Sequence, residues 1–186
     1  MALRLLPDVA YLRECFDYDP DVGLLIWRER PSHHFPSIRL WRTVNAIQPG
    51  KVAGAKGKYH LAVSINDKLF LVHRIIWKMQ TGAEPPPELD HKDRDGFNNK
   101  WGNLREASRS QNMSNTRTRT DSSSGLKGAM ADRRRGGFKA EIRINGKSKY
   151  LGAFKTKEEA HAAYCEAAQE LRGQFFSSGR PTDQDS

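Results

Sequence analysis

Residues Leu89 to Asn112 read LDHKDRDGFNNKWGNLREASRSQN, and whether this stretch is a plain polar loop or a built framework decides the fold of the chain. Aspartate, glycine and asparagine are ordinary loop residues, so spacing has to discriminate. Asp93, Asp95 and Gly96 fall at the third, fifth and sixth places of an EF-hand loop, but the first place is His91 and the twelfth Gly102. Without carboxylates there, the calcium reading fails. The alternative is a hairpin and a helix: ELDHK as one strand, a loop through Asp95, Gly96 and the asparagines, NLREA as the second strand, then a helix with Ser108 and Gln111 as its capping box. Asn112 then lies just inside the first turn, and a helix packed across the hairpin lets Asp90 and Asn112 face each other. Their oxygens suit one divalent cation, with its other positions left to water and a phosphate. His91 alternates to the other side of the strand from Asp90. Its imidazole, mostly neutral at about pH 7, can accept a proton from an attacking water while the metal polarises the phosphate.

Composition points to the partner. The chain has 186 residues, enough for one medium domain or two small ones with modest cores. A net charge of +9 and a pI near 9.7 make a polyanion the natural partner, either nucleic acid or an acidic membrane surface. The start, MALRLLPDVAYLREC, has no apolar run of signal-peptide length, and no later stretch approaches a membrane span. The expected setting is the cytoplasm. Cys15 and Cys165 lie far apart and in no Cys-x-x-Cys pair, which indicates neither a disulfide framework nor a cysteine zinc site.

The flanking sequence reads as a short helix carrying Leu5, Val9, Leu12 and Phe16, stopped by Asp19, Pro20 and Gly23, and then GLLIWRER as a strand. Residues 31–58 read as mostly irregular. YHLAVSI and KLFLV form a hairpin around Asn66 and Asp67, and HRIIWKMQTG is a helix ended by Gly82. His73, which opens that helix, reads as support for the site, and His33 and His34 as loop residues without a partner pattern. The Ser/Thr/Arg stretch SNTRTRTDSSSG reads as a linker. Beyond it FKAEIRIN and KSKYLGAF flank Asn145 and Gly146, a strong hairpin signal, and Thr156 with Glu159 caps a helix whose inner face is Ala160, Ala163, Tyr164, Ala167 and Leu171.

The opening stretch resembles the HNH endonucleases with a ββα-metal site, especially the phage and intron homing type. In that family an Asp-His pair gives a metal ligand and the general base, here Asp90 and His91; an Asn before Leu-Arg braces the loop, here Asn103; and an Asn on the helix gives the second ligand, here Asn112. FDYDPDVGLLIWRERP and LVHRIIWKMQTG look like the usual lead-in of these proteins. Lys92 departs from the apolar residue expected after the histidine. The resemblance implies a divalent metal, Mg²⁺ or Mn²⁺, and hydrolysis of a phosphodiester.

In FKAEIRIN, Phe138, Ala140, Ile142 and Ile144 share one face, with Lys139, Glu141 and Arg143 on the other. A two-residue turn pairs Arg143 with Ser148 and Glu141 with Tyr150, which gives an exposed patch of Arg, Ser, Glu and Tyr; Arg133, Arg134 and Arg135 add to its positive field. GLKG, FKAEIRI, YLGAF, TKEEAHAAY and LRG, in that order, resemble the APETALA-two/ethylene-response-factor DNA-binding domain, whose three-stranded sheet enters the major groove. Ala129, Met130 and Ala131, Ser148 and Tyr150 depart from the plant pattern, so the resemblance does not carry over the plant target.

The expected fold is α+β: an endonuclease domain over 1–115 with its core motif at 88–115, a linker at 116–124, a three-stranded antiparallel sheet packed on one helix over 125–176, and a disordered tail at 177–186. The expected function is a homing-type endonuclease, targeted to double-stranded DNA by the C-terminal sheet. One site per chain implies nicking by a monomer or weak dimer, in a bacterial or phage-infected cell. The rival is a DNA-binding regulator with a vestigial nuclease fold, and a membrane partner ranks last for want of a basic amphipathic helix with apolar anchors.

Overall fold

The computed structural model describes residues 4–115, 124–144 and 146–178. Helices and antiparallel sheets are mixed along the chain, an α+β architecture, and the chain divides between Glu106 and Ala107 into two compact units. The linker expected at 116–124 and the tail expected at 177–186 lie almost wholly outside the described residues, as does Asn145 of the expected turn. Among the described residues no helix is long and apolar enough to cross a membrane.

In the first unit, α1 (Val9–Cys15) starts at Asp8, whose carboxylate accepts from the Ala10 N–H at 2.8 Å. Phe16, expected on this helix, instead opens strand β1 (Phe16–Asp19), which pairs with β2 (Leu24–Trp27). Aromatics at a period of two, Phe16 and Tyr18, favour the strand, and Asp19 nucleates its turn by accepting from the N–H groups of Asp21 and Val22. The span expected to be irregular contains helix α2 (Ile38–Asn45), capped by Ser37, and the short strand β3 (Ala55–Lys56). No residue of α2 is buried; Trp41 Nε1 and Asn45 Nδ2 tie it down by donating to the Arg30 carbonyl.

Strands β4 (Leu61–Ile65) and β5 (Lys68–Leu71) turn at Asn66 and Asp67, both at positive φ, the signature of a type I′ hairpin, and form a sheet with β3. Helix α3 (Val72–Thr81) follows at once and packs on α1, β4 and β5. Leu12, Cys15, Phe16, Leu25, Ile65, Ile75 and Ile76 form the centre of this core. Strands β6 (Leu89–His91) and β7 (Leu104–Glu106) pair beside it, and Leu104 plugs into the same core.

The second unit begins with α4 (Arg109–Ser114) and continues with β8 (Ala129–Ala131), β9 (Phe138–Ile144), β10 (Lys147–Phe154) and α5 (Lys157–Arg172), in sheet order β10-β9-β8. Ala129, Ala140 and Ala160 make one buried cluster between sheet and α5, and Ile142, Tyr164 and Ala168 another. The inner face of α5 therefore steps by fours through Ala160, Tyr164 and Ala168. Leu171, expected on it, is exposed. Alanines let the helix sit close to the sheet, and a strict four-residue step drifts off the expected stripe within three turns.

Candidate active site and nucleic-acid interface

The pairing of β6 with β7 places Asp90 opposite Arg105 and His91 opposite Leu104. Asp90 Oδ2 accepts from Arg105 Nε at 2.8 Å and stands 2.6 Å from Arg105 Nη2, in a pair whose side chains are only 5% and 10% exposed. Short, charge-assisted bonds of this kind are what make a buried ion pair tolerable. His91 is also buried, and its Nε2 lies 3.2 Å from Asn99 Oδ1. Asn99 Nδ2 donates to the Phe97 carbonyl at 3.2 Å, which fixes the amide so that Oδ1 faces the imidazole. An amide oxygen only accepts. The hydrogen-bond network thus assigns the proton of neutral His91 to Nε2 and leaves the lone pair on Nδ1.

The loop between the strands is knitted around two side chains. Asp93 accepts from the Asp95 N–H at 2.9 Å, from Asn98 Nδ2 at 2.6 Å and from Asn103 Nδ2 at 2.9 Å. Asn103 also donates to the Asn98 carbonyl at 2.8 Å and accepts from the Asp93 N–H at 3.1 Å. The Lys92 ammonium reaches across the same loop to the Gly102 carbonyl at 2.6 Å.

Two other hairpins press on this loop. Tyr18 Oη donates to the Asn99 carbonyl at 2.8 Å, and the Trp101 N–H donates to the Pro20 carbonyl. Gly23, at φ +82°, sits so close to Asn99 and Lys100 that a Cβ there would fall 2.7 Å from the Asn99 carbonyl carbon. Gly96 plays the same part opposite His60, where a Cβ would overlap the Tyr59 carbonyl and the His60 ring. The glycine in the opening stretch is therefore a close-approach residue.

That approach helps gather three imidazoles. His60 precedes β4, His73 lies in the first turn of α3 and His91 ends β6, with ring centroids 4.9 Å apart for His60 and His73, 5.5 Å for His60 and His91, and 5.2 Å for His73 and His91. Burial, reinforced by His91, His60 and Arg74, pushes His73 down to about 2, and burial together with His91 lowers His60. Both rings are held neutral. His33 and His34 are not partnerless loop residues: Glu14 Oε2 stands 2.6 Å from His34 Nε2 and 3.6 Å from His33 Nε2, and His34 stacks on Tyr11.

Asn112 lies on α4 in the second unit, behind the capping box in which Ser108 Oγ accepts from the Gln111 N–H and Gln111 Oε1 accepts from the Ser108 N–H. In the sheet of that unit, Ser148 pairs with Arg143 and Tyr150 with Glu141, and the register then shifts at Leu151. Arg133, Arg134, Arg135, Lys139, Glu141 and Tyr150 line a shallow cleft of about 570 Å³. Glu141 is held below the usual carboxylate range by the Lys139 ammonium at 2.6 Å and the Ser148 hydroxyl at 3.0 Å. Arg143 Nε donates to the Gly146 carbonyl at the strand turn, so it lies beside this network.

Asn99, Arg105 and His60 are absent from the sequence reading. Arg105 was accessible, since antiparallel register sets it opposite Asp90; nothing in the doublet Asn98-Asn99 marks the second asparagine as the one that meets the imidazole. No curated protein and no solved structure matches the chain. Residues 70–114, which run from the end of β5 through the Asp90-His91 hairpin to α4, match the HNH endonuclease family model and so support an HNH nuclease acting on DNA.

Proposed function

We propose that the protein is an HNH endonuclease of the homing type, in which His91 is the general base and the C-terminal sheet reads duplex DNA. The observation that supports this is the contact that orients His91: Asn99 Oδ1 lies 3.2 Å from Nε2 and, as an acceptor, favours the proton there and the basic lone pair on Nδ1. Asn103 braces the loop that carries Asn99. Lys92, bonded to Gly102 across the same loop, adds positive charge beside the reacting phosphate.

The carboxylate of Asp90 and the side-chain amide of Asn112 are hard oxygen donors, which fit Mg²⁺ or Mn²⁺. Bound there, the cation supplies Lewis-acid stabilisation of the departing oxygen. The chain's own residues do the rest: Arg105 holds Asp90 in place, and His91 takes the proton. In the second unit we read β8 to β10 with α5 as a DNA-binding domain of the APETALA-two/ethylene-response-factor type. Arg143, Glu141, Ser148 and Tyr150 face base edges, and Arg133, Arg134, Arg135 and Lys139 meet phosphates. With one site per chain, a monomer or weak dimer nicks.

Arg105 favours a second reading. A guanidinium already bound to Asp90 Oδ2 competes with a metal for that carboxylate, which suits a DNA-binding regulator that does not cut. Incubating wild type and His91→Ala with supercoiled DNA of many sequences in Mg²⁺, Mn²⁺ or EDTA separates the two. Metal-dependent nicking by wild type and its loss in His91→Ala are expected; equal nicking by the variant removes His91 as the base.

A further inference from the structure

The Asp90-Asn112 pair accounts for one carboxylate and one amide but for none of the three histidines that meet behind the loop. One nitrogen from each of His60, His73 and His91 lies within 4.8 Å of the others. His73 lies in α3, His91 ends β6 and His60 immediately precedes β4, three separate segments of the first unit. His73 Nδ1 is buried without a hydrogen-bond partner, and His60 Nδ1 is buried with none of good geometry, only the Gly96 backbone lying against its ring. Buried polar nitrogens are normally satisfied, and two left over in one cluster ask for a ligand. The third ring is oriented by a neighbouring amide: His91 Nε2 lies 3.2 Å from Asn99 Oδ1, the kind of contact that holds a metal-binding imidazole in position.

The donor set determines what binds. Three neutral imidazoles without a carboxylate suit a borderline transition ion and are a poor match for Mg²⁺, which demands oxygen. We propose that His60, His73 and His91 form a binding site for Zn²⁺, separate from the oxygen site at Asp90. Tetrahedral ligation at Zn–N distances of about 2.0–2.1 Å brings nitrogens to about 3.3 Å from one another, within reach of small ring rotations from the separations found here. The fourth position goes to water. On the reading of His91 as general base, zinc bound to its ring removes that base and switches the nuclease off.

The test uses the full-length, untagged protein carrying Glu14→Gln and His33→Ala, which removes the Glu14-His33-His34 cluster as a competing site. Co²⁺ is titrated in and followed by its visible tetrahedral bands, with Zn²⁺ as competitor, and the zinc-loaded protein is examined by X-ray absorption. One Co²⁺ per chain, displaced by Zn²⁺, with three imidazoles in the zinc shell, is expected. The bands should be lost in His60→Gln and His73→Gln and kept in Asp90→Asn. Absence of bands, fewer than three imidazoles, or loss of the bands in Asp90→Asn overturns the site. X-ray absorption decides this on protein with all three histidines intact, even should the His73 variant fail to fold. Nicking in Mg²⁺ should be lost on zinc loading and return with a zinc chelator. Zinc binding with no nicking under any condition refutes the nuclease reading alone, and nicking without a three-imidazole site refutes the zinc site alone.

Discussion

A neutral imidazole has two nitrogens, and only one of them can be the base; in His91 a single amide decides which. Replacing Asn99 with alanine frees the tautomer, and nicking should fall about 10- to 100-fold, the range for groups that orient a functional imidazole, with DNA binding unchanged. Asn99→Asp tests positioning against mere packing: a carboxylate there stabilises the imidazolium, so the acidic limb of the pH–rate profile should move to higher pH. An unmoved limb would remove Asn99 from the mechanism. His73 gives a prediction of its own. Its folded value of about 2 lies below the 6.5 of the unfolded chain, so between the two the unfolded state binds the extra proton. Stability is whole above about pH 6.5 and declines as pH falls, by about 2 kcal/mol at pH 5. Urea unfolding in EDTA should show this loss, and His73→Gln should lack most of it; an identical pH dependence in the variant would mean that His73 is not buried neutral. Motif spacing brought out Asp90, His91 and Asn103 in the sequence because each sits at a fixed step from a recognisable neighbour. Asn99 and His60 stayed hidden because their importance comes from chain segments folding onto them from elsewhere.

The lead-in hairpin, β1 and β2, is a wedge against the site loop, and its turn glycine is where the two meet. Gly23 and Gly50 both have positive φ, but a side chain at Gly50 meets nothing within 4 Å while one at Gly23 runs into the Asn99-Lys100 backbone. Alanine at either position strains the backbone by about 1–3 kcal/mol. Only Gly23→Ala should also push Asn99 off His91, so nicking should fall in that variant and stay near wild type in Gly50→Ala at temperatures where both are folded. Equal activity in the two would mean that the hairpin merely flanks the loop. Local signals revealed the elements where side chains act on their own backbone: both capping boxes, at Ser108 with Gln111 and Thr156 with Glu159, and the turn at Asn66 and Asp67 were all there to be read. Helix α2 escaped because its eight residues sit in a span rich in Gly, Pro and His, and Phe16 was misplaced because an aromatic four residues past Leu12 fits a helix as well as it fits the start of a strand.

A net charge of +9 spread over 186 residues is an electrostatic argument for a polyanion, and it makes a quantitative demand on binding. Each phosphate neutralised by a lysine or arginine steepens the fall of log K with log salt by about 0.9. Arg133, Arg134 and Arg135 sit together in the β8–β9 turn, which Asp132 Oδ1 shapes by accepting from the Arg134 and Arg135 N–H groups, and all three are exposed. If they meet phosphates, replacing all three with alanine should flatten the salt slope by about 2 to 3 and weaken binding to every duplex alike. Arg143 makes the contrast, because a guanidinium that reads a base should cost affinity for the selected target, about 1–3 kcal/mol, and leave non-specific binding nearly untouched. Fluorescence anisotropy over a salt series, with a duplex selected by wild type and a scrambled one, measures both. A triple variant with an unaltered slope would take the arginine turn off the DNA, and an Arg143→Ala that weakens both duplexes equally would make that residue one more phosphate contact.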